Sequence, residues 1–158
     1  MRRLLKFLHT MGAIGLMGAV ACLLVVLFAP DPDSLAAQAT MAAEMAHIAS
    51  WVFMPSLALT LISGLAAIAV NPGFQDAGWV WAKAVTGISL FEAGFLYVVG
   101  PMQAAAKTSA SLLGGKLDPA LVARSLGAER NTLWILLAVA MANVALGVWR
   151  PRLDIPVF

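Results

Sequence analysis

Residues 45–75 read MAHIASWVFMPSLALTLISGLAAIAVNPGFQ and contain no Asp, Glu, Lys or Arg. A run of this length exceeds the ~20 apolar residues needed to carry a helix across a ~30 Å hydrocarbon core. Apolar and polar residues do not alternate along it, which sets aside a transmembrane barrel. Only helices then satisfy their backbone groups segment by segment in lipid. Two more charge-free runs lie on either side, Phe7 to Pro30 and Asn131 to Trp149, and a fourth apolar run, Trp79 to Pro101, is broken only by Lys83 and Glu92. The chain predicts an all-α polytopic membrane protein: one domain, a four-transmembrane-helix bundle with spans at about 7–30, 45–70, 79–101 and 131–149.

Composition agrees. Of 158 residues, 61% are hydrophobic and 11% charged, against roughly 45–50% and 25% in soluble domains. A soluble fold is excluded. The single cysteine, Cys22, rules out an internal disulfide and a CxxC site. A net charge of +2 from scattered residues offers no nucleic-acid surface.

Arg2, Arg3 and Lys6 precede the first span, and Arg150 and Arg152 follow the fourth. The positive-inside rule puts both termini in the cytoplasm of a bacterial inner membrane. Trp79, Trp81 and Trp149 then form an inner aromatic belt, and Trp51 and Trp134 an outer one. Ala19-Val20-Ala21-Cys22 resembles a lipobox, but the apolar run continues to Ala29, so the segment reads as an uncleaved span. On the outer side, Asp33 or Ser34 is placed to cap a helix from Leu35 onward. In the outer segment 102–130, Gly114-Gly115 ends the third helix. Asp118-Pro119 then opens a short amphipathic helix to about Arg130, with Leu121, Val122 and Leu126 on one face.

Few residues can carry chemistry. His9 stands about two turns into the first helix and is followed by Gly12, Gly15 and Gly18. The glycines either allow close helix packing or leave a flat face for a macrocycle, with His9 as an axial haem ligand. Lys83, near the start of the third helix, lies at the depth of His9. It either snorkels to the headgroups or acts inside the bundle as a ligand or propionate anchor. Glu92 lies nine residues farther, about 13.5 Å along the helix and on roughly the opposite face. It reads as part of a buried polar cluster with Ser89, Thr60, Ser63 or Asn143, or as a candidate proton relay.

Met41, Glu44, Met45 and His47 follow helical spacing toward the outer side, and thioether with imidazole suits Cu(I). His47 is set ~25–30 Å from His9 across the membrane, too far for one iron to bridge. Depth pairs His9 with Lys83 instead.

Leu8-His9, Pro55, Thr60-Leu61-Ile62-Ser63-Gly64-Leu65 and Trp81-Ala82-Lys83, within residues 4–101, resemble a superfamily of four-span proteins. It includes the membrane-type protoporphyrinogen oxidases of bacteria, the copper-resistance-D-like domain and an uncharacterised group of predicted integral membrane proteins. The resemblance implies b-type haem, with the first-helix histidine and third-helix lysine as functional residues, mapping onto His9 and Lys83. The stretch Ala21 to Phe28 lacks the aromatic, proline and arginine-containing motif of the oxidases, so the likeness is closer to the uncharacterised group.

The leading expectation is haem b or porphyrin binding in the inner half of the bundle, in redox or haem metabolism, by His9, Lys83, Gly12 and Gly15, with Glu92 as relay. The alternatives are a non-catalytic accessory subunit or assembly factor of a larger membrane complex, and copper handling at Met41, Met45 and His47. Expected partners are the lipid bilayer and other membrane subunits or a homo-oligomer.

Overall fold

A computed structural model describes residues 1–28, 34–112 and 119–149. Among them there is no strand, and four helices are long and apolar enough to cross a membrane. The protein is an integral membrane protein.

Helix α1 (Arg2–Leu27) has no internal proline and runs unbroken. Ser34 caps α2 (Leu35–Ile48), its Oγ accepting from the amide of Ala37 at 3.2 Å; Asp33 lies outside the described residues. Helix α2 passes through a π turn (Ala49–Phe53) into α3 (Met54–Ala69). A short α4 (Pro72–Gln75) leads to α5 (Gly78–Gly94), which passes through a second π turn (Phe95–Val99) into α6 (Gly100–Leu112). Helix α7 (Pro119–Trp149) completes the chain's described part.

Each π turn has the same local cause. Pro55 and Pro101 stand two residues beyond the ends of the turns. A proline inside an α-helix lacks its N–H and drives its ring against the carbonyl four residues earlier. Widening the preceding turn relieves that clash, and the amides of Met54 and Gly100 reach back five residues to the carbonyls of Ala49 and Phe95. The helices therefore continue through their prolines. Residues Ala36–Ala69 and Gly78–Ser111 form two rods of 34 residues each, about 51 Å long at 1.5 Å per residue and well beyond a ~30 Å core.

Two expectations change accordingly. The third helix does not stop near Pro101 but runs to Leu112, packing α6 along α2 outside the apolar spans. The amphipathic segment expected up to Arg130 is helical and continues without a break into the fourth span, because no proline or glycine separates Arg130 from the apolar run. Asp118 and Gly114-Gly115 lie outside the described residues.

The bundle has a packed half and a hollow half. Leu16, Val20, Leu23, Phe53, Leu90 and Leu133 belong to one buried apolar cluster toward the C-terminal half of α1. Phe53 is 1% exposed and fits against Gly94, where a Cβ would lie 2.8 Å from its ring. At the same end Phe28 meets Trp134 edge-on at 6.3 Å. Large apolar side chains such as Ile14, Ile62, Val85 and Ile135 are exposed on the outside, as a lipid-facing surface requires. The hollow half is at the N-terminal end of α1.

Candidate functional site

Helix α1 packs most closely on α3. Gly12 and Gly15 make that approach: a Cβ on Gly12 would stand 2.8 Å from the Thr60 nitrogen and 2.9 Å from the Ser56 carbonyl, and one on Gly15 would collide with the Ser56 hydroxyl. The two glycines therefore hold α3 against α1 and leave no face there for a macrocycle, which corrects their expected role as cofactor residues. A Cβ on Gly18 would meet nothing within 4 Å.

One turn toward the N-terminus the contact becomes polar. Nδ1 of His9 lies 2.8 Å from the carbonyl of Thr60. A carbonyl only accepts, so Nδ1 carries the proton and Nε2 keeps the lone pair. Gly64 makes room for the ring, with a Cβ there standing 3.2 Å from Cε1 of His9. The Ser63 hydroxyl, 3.4 Å from Nδ1, is committed to the carbonyls of Leu59 and Thr60. The imidazole is thus fixed in one tautomer by backbone.

Beside His9 the four helices enclose a cavity of about 440 Å³, within the ~300–1,000 Å³ of small-molecule and cofactor sites. It runs from the N-terminal end of α1 to mid-bundle, where Leu16, Leu57, Leu90 and Ala140 close it. Its walls are mainly apolar, including Leu61, Leu65, Ile68 and Val144. Arg2, Lys6, Asn71, Phe74 and Trp79 line its end nearest the α1 terminus. Phe74 and Trp79 meet edge-on at 5.9 Å, and the Trp81 indole N–H donates to the carbonyl of Gln75 at 2.8 Å, fixing the short connection that carries them.

Lys83 also lines the cavity. A Cβ on Gly147 of α7 would stand 2.7 Å from its Nζ, so a glycine makes room for the ammonium head. One helical turn before Gly147, Asn143 lines the same space, and its Oδ1 is buried with no hydrogen-bond partner. A buried amide oxygen without a partner is costly, and this one borders a cavity large enough to hold a donor. No carboxylate is among the lining residues, whereas Arg2, Lys6 and Lys83 are. The site is cationic, apolar in its depth, and edged by two acceptors, Nε2 of His9 and Oδ1 of Asn143.

His9 and Lys83, paired by depth in the sequence, line this one cavity. Glu92 is not there. It is exposed on the outside of α5, as is Ser89, while its expected partners face inward: Thr60 donates to the Ser56 carbonyl at 2.8 Å, and Ser63 to that of Leu59. The candidate relay is thereby separated from the cavity by the helix that bears both Lys83 and Glu92.

At the other end Met45 is 1% exposed within the apolar core and Met41 packs against it, but His47 is exposed. Two positions apart on a helix is a turn of about 200°, so thioether and imidazole diverge. No group of three or more His, Cys, Asp or Glu among the described residues is placed to hold a metal. His47 also precedes Thr60, the partner of His9, by thirteen residues of continuous helix, about 20 Å. Cys22 is a free, exposed thiol.

Asn143 was legible only as a polar interruption of the fourth apolar run; its i, i+4 relation to Gly147 was the signal that both share one face of α7. No curated protein and no solved structure matches the chain. A family model does, over residues 3–151, and with it the chain belongs to the family of predicted integral membrane proteins DUF2269.

Proposed function

We propose that this chain is a bacterial inner-membrane protein that binds haem b or a related porphyrin in the hollow half of its bundle and acts in redox or haem metabolism. The observation that carries the reading is His9, whose Nδ1 is engaged by the Thr60 carbonyl at 2.8 Å on the wall of a cavity of about 440 Å³. A carbonyl behind one ring nitrogen orients the imidazole and raises the basicity of the other. Neutral imidazole in that state is a common axial haem ligand.

The other lining residues fit an amphipathic tetrapyrrole with carboxylate substituents. Leu61, Leu65, Ile68 and Val144 bury the apolar ring and keep water from it. Arg2 and Lys6 stand where carboxylates would leave the apolar part, and paired hydrogen bonds to them would orient the ligand. Lys83 serves as second ligand or as a further carboxylate anchor. When bound, haem would supply one-electron redox chemistry. Kinship with the porphyrinogen oxidases is part of this proposal, since the family match reaches only the uncharacterised group. The basic residues flanking the first and fourth spans favour cytoplasmic termini, which puts the cavity on the inner side.

The test is titration of the purified full chain with haem b, and separately with metal-free protoporphyrin, in mild detergent. Wild type is expected to give a shifted Soret band with haem at one equivalent, and His9→Ala, matched for thermal stability, to bind haem at least tenfold more weakly. Indistinguishable spectra for wild type and His9→Ala would sink the reading.

A further inference from the structure

Glu92 raises a question the cavity does not answer. Gly94, half a turn later, packs on Phe53 and Leu57, and Gly15 of α1 packs on Ser56. Glu92 therefore lies level with the middle of α1, whose 26 residues run from Arg2 to Leu27, at the centre of the apolar span. Its side chain is on the outside. Ionisable groups within membrane spans almost always face a bundle interior or a water-filled cavity, because hydrocarbon offers neither hydrogen bonds nor solvation. In this chain the interior at that depth is the packed cluster and the floor of the cavity, and Glu92 faces away from both.

The surroundings of Glu92 form a stripe. Val85, Ile88, Ser89, Phe95 and Leu96 are exposed with it on α5 and its π turn. Ser89 is one turn before Glu92, a rise of about 4.5 Å. The stripe thus offers a hydroxyl donor and a carboxyl acceptor within one turn, framed by apolar side chains. An isologous interface needs a surface complementary to itself. A two-fold axis along the membrane normal puts equivalent residues of two copies at equal depth, so α5 helices crossing near this turn bring each Ser89 beside the other copy's Glu92.

We propose that the outer face of α5 centred on Ser89 and Glu92 is a self-association surface, and that its occupant is a second copy of this chain. The two polar groups of each copy satisfy those of the other, and Val85, Ile88, Phe95 and Leu96 pack around them. Interhelical hydrogen bonds of this kind hold membrane helices together where lipid gives no hydrophobic drive for association.

The experiment has two arms, both on the full chain and neither requiring a ligand in the cavity. In mild detergent, light scattering is expected to give the mass of a dimer. Glu92→Gln, which keeps hydrogen bonding, should preserve it, and Glu92→Leu should weaken it about tenfold. In membranes, a Cys22→Ser, Ile88→Cys variant is expected to form a disulfide-linked dimer on oxidation, while Cys22→Ser, Ile62→Cys, exposed on α3, forms none. A wild-type monomer without an Ile88→Cys cross-link overturns the proposal. So does a Glu92→Leu dimer as tight as wild type, equal cross-linking from Ile62→Cys, or an Ile88→Cys adduct to a different membrane protein.

Discussion

Replacing Gly12 by alanine tests whether the α1–α3 contact sets the geometry of His9. Alanine is the better helix former by about 1 kcal/mol, so in open surroundings the change stabilises. Here the new methyl would stand 2.8 Å from the Thr60 nitrogen and 2.9 Å from the Ser56 carbonyl. Both are backbone atoms that cannot rotate away. Restoring an ordinary 3.4 Å contact requires the helices to part by about 0.6 Å at this level. The His9 to Thr60 hydrogen bond, one turn along and 2.8 Å long, is then stretched toward 3.4 Å, where little of it survives. Overpacking costs ~1–3 kcal/mol and a weakened hydrogen bond ~0.5–1.5 more, enough to outweigh the propensity gain. At ~2–4 °C per kcal/mol for a chain of this size, thermal unfolding in detergent should shift down by about 5 °C, with haem affinity falling alongside. Gly18→Ala is the control, since its methyl meets nothing within 4 Å, and it should be neutral or slightly stabilising. Equal unfolding temperatures for the two variants would refute the reasoning.

Other variants probe other parts. Asn143→Leu removes a buried Oδ1 that has no partner, so unliganded stability should hold or rise by up to ~1 kcal/mol while porphyrin affinity falls in the same titration. Phe53→Ala empties the centre of the packed half, where Phe53 is 1% exposed, and should cost about 3–5 kcal/mol, read as loss of folded protein on heating. Ser34→Ala deletes the cap on the Ala37 amide, a loss of ~1 kcal/mol that hydrogen exchange should register as faster exchange confined to the first turn of α2.

Charge-free runs made the four spans legible, because each Asp, Glu, Lys or Arg inside lipid needs a reason. Helix length was less so. Pro101 reads as a stop in sequence, but a π turn two residues before it absorbs the ring, and the helix runs on to Leu112. That accommodation depends on neighbours, as Gly94 packing on Phe53 shows. The glycine spacing in α1 was equally consistent with packing and with a ligand face, and only the position of α3 decides between them. Depth arithmetic brought His9 and Lys83 to one level, since a rise per residue is fixed for any helix. It could not show that a cavity opens between them, which comes from how the four helices diverge. The nine-residue offset placed Glu92 opposite Lys83; which of them faces inward was not in the spacing, because Ser89 and Glu92 mark a polar point on an otherwise apolar helix.

The most direct test of the central claim is a structure of the full chain loaded with haem b in a lipid nanodisc. The account predicts density for the macrocycle between α1 and α5 with Nε2 of His9 on the iron and the carboxylates toward Arg2 and Lys6. Haem bound elsewhere, or a filled cavity in which His9 makes no contact with the ligand, would contradict it.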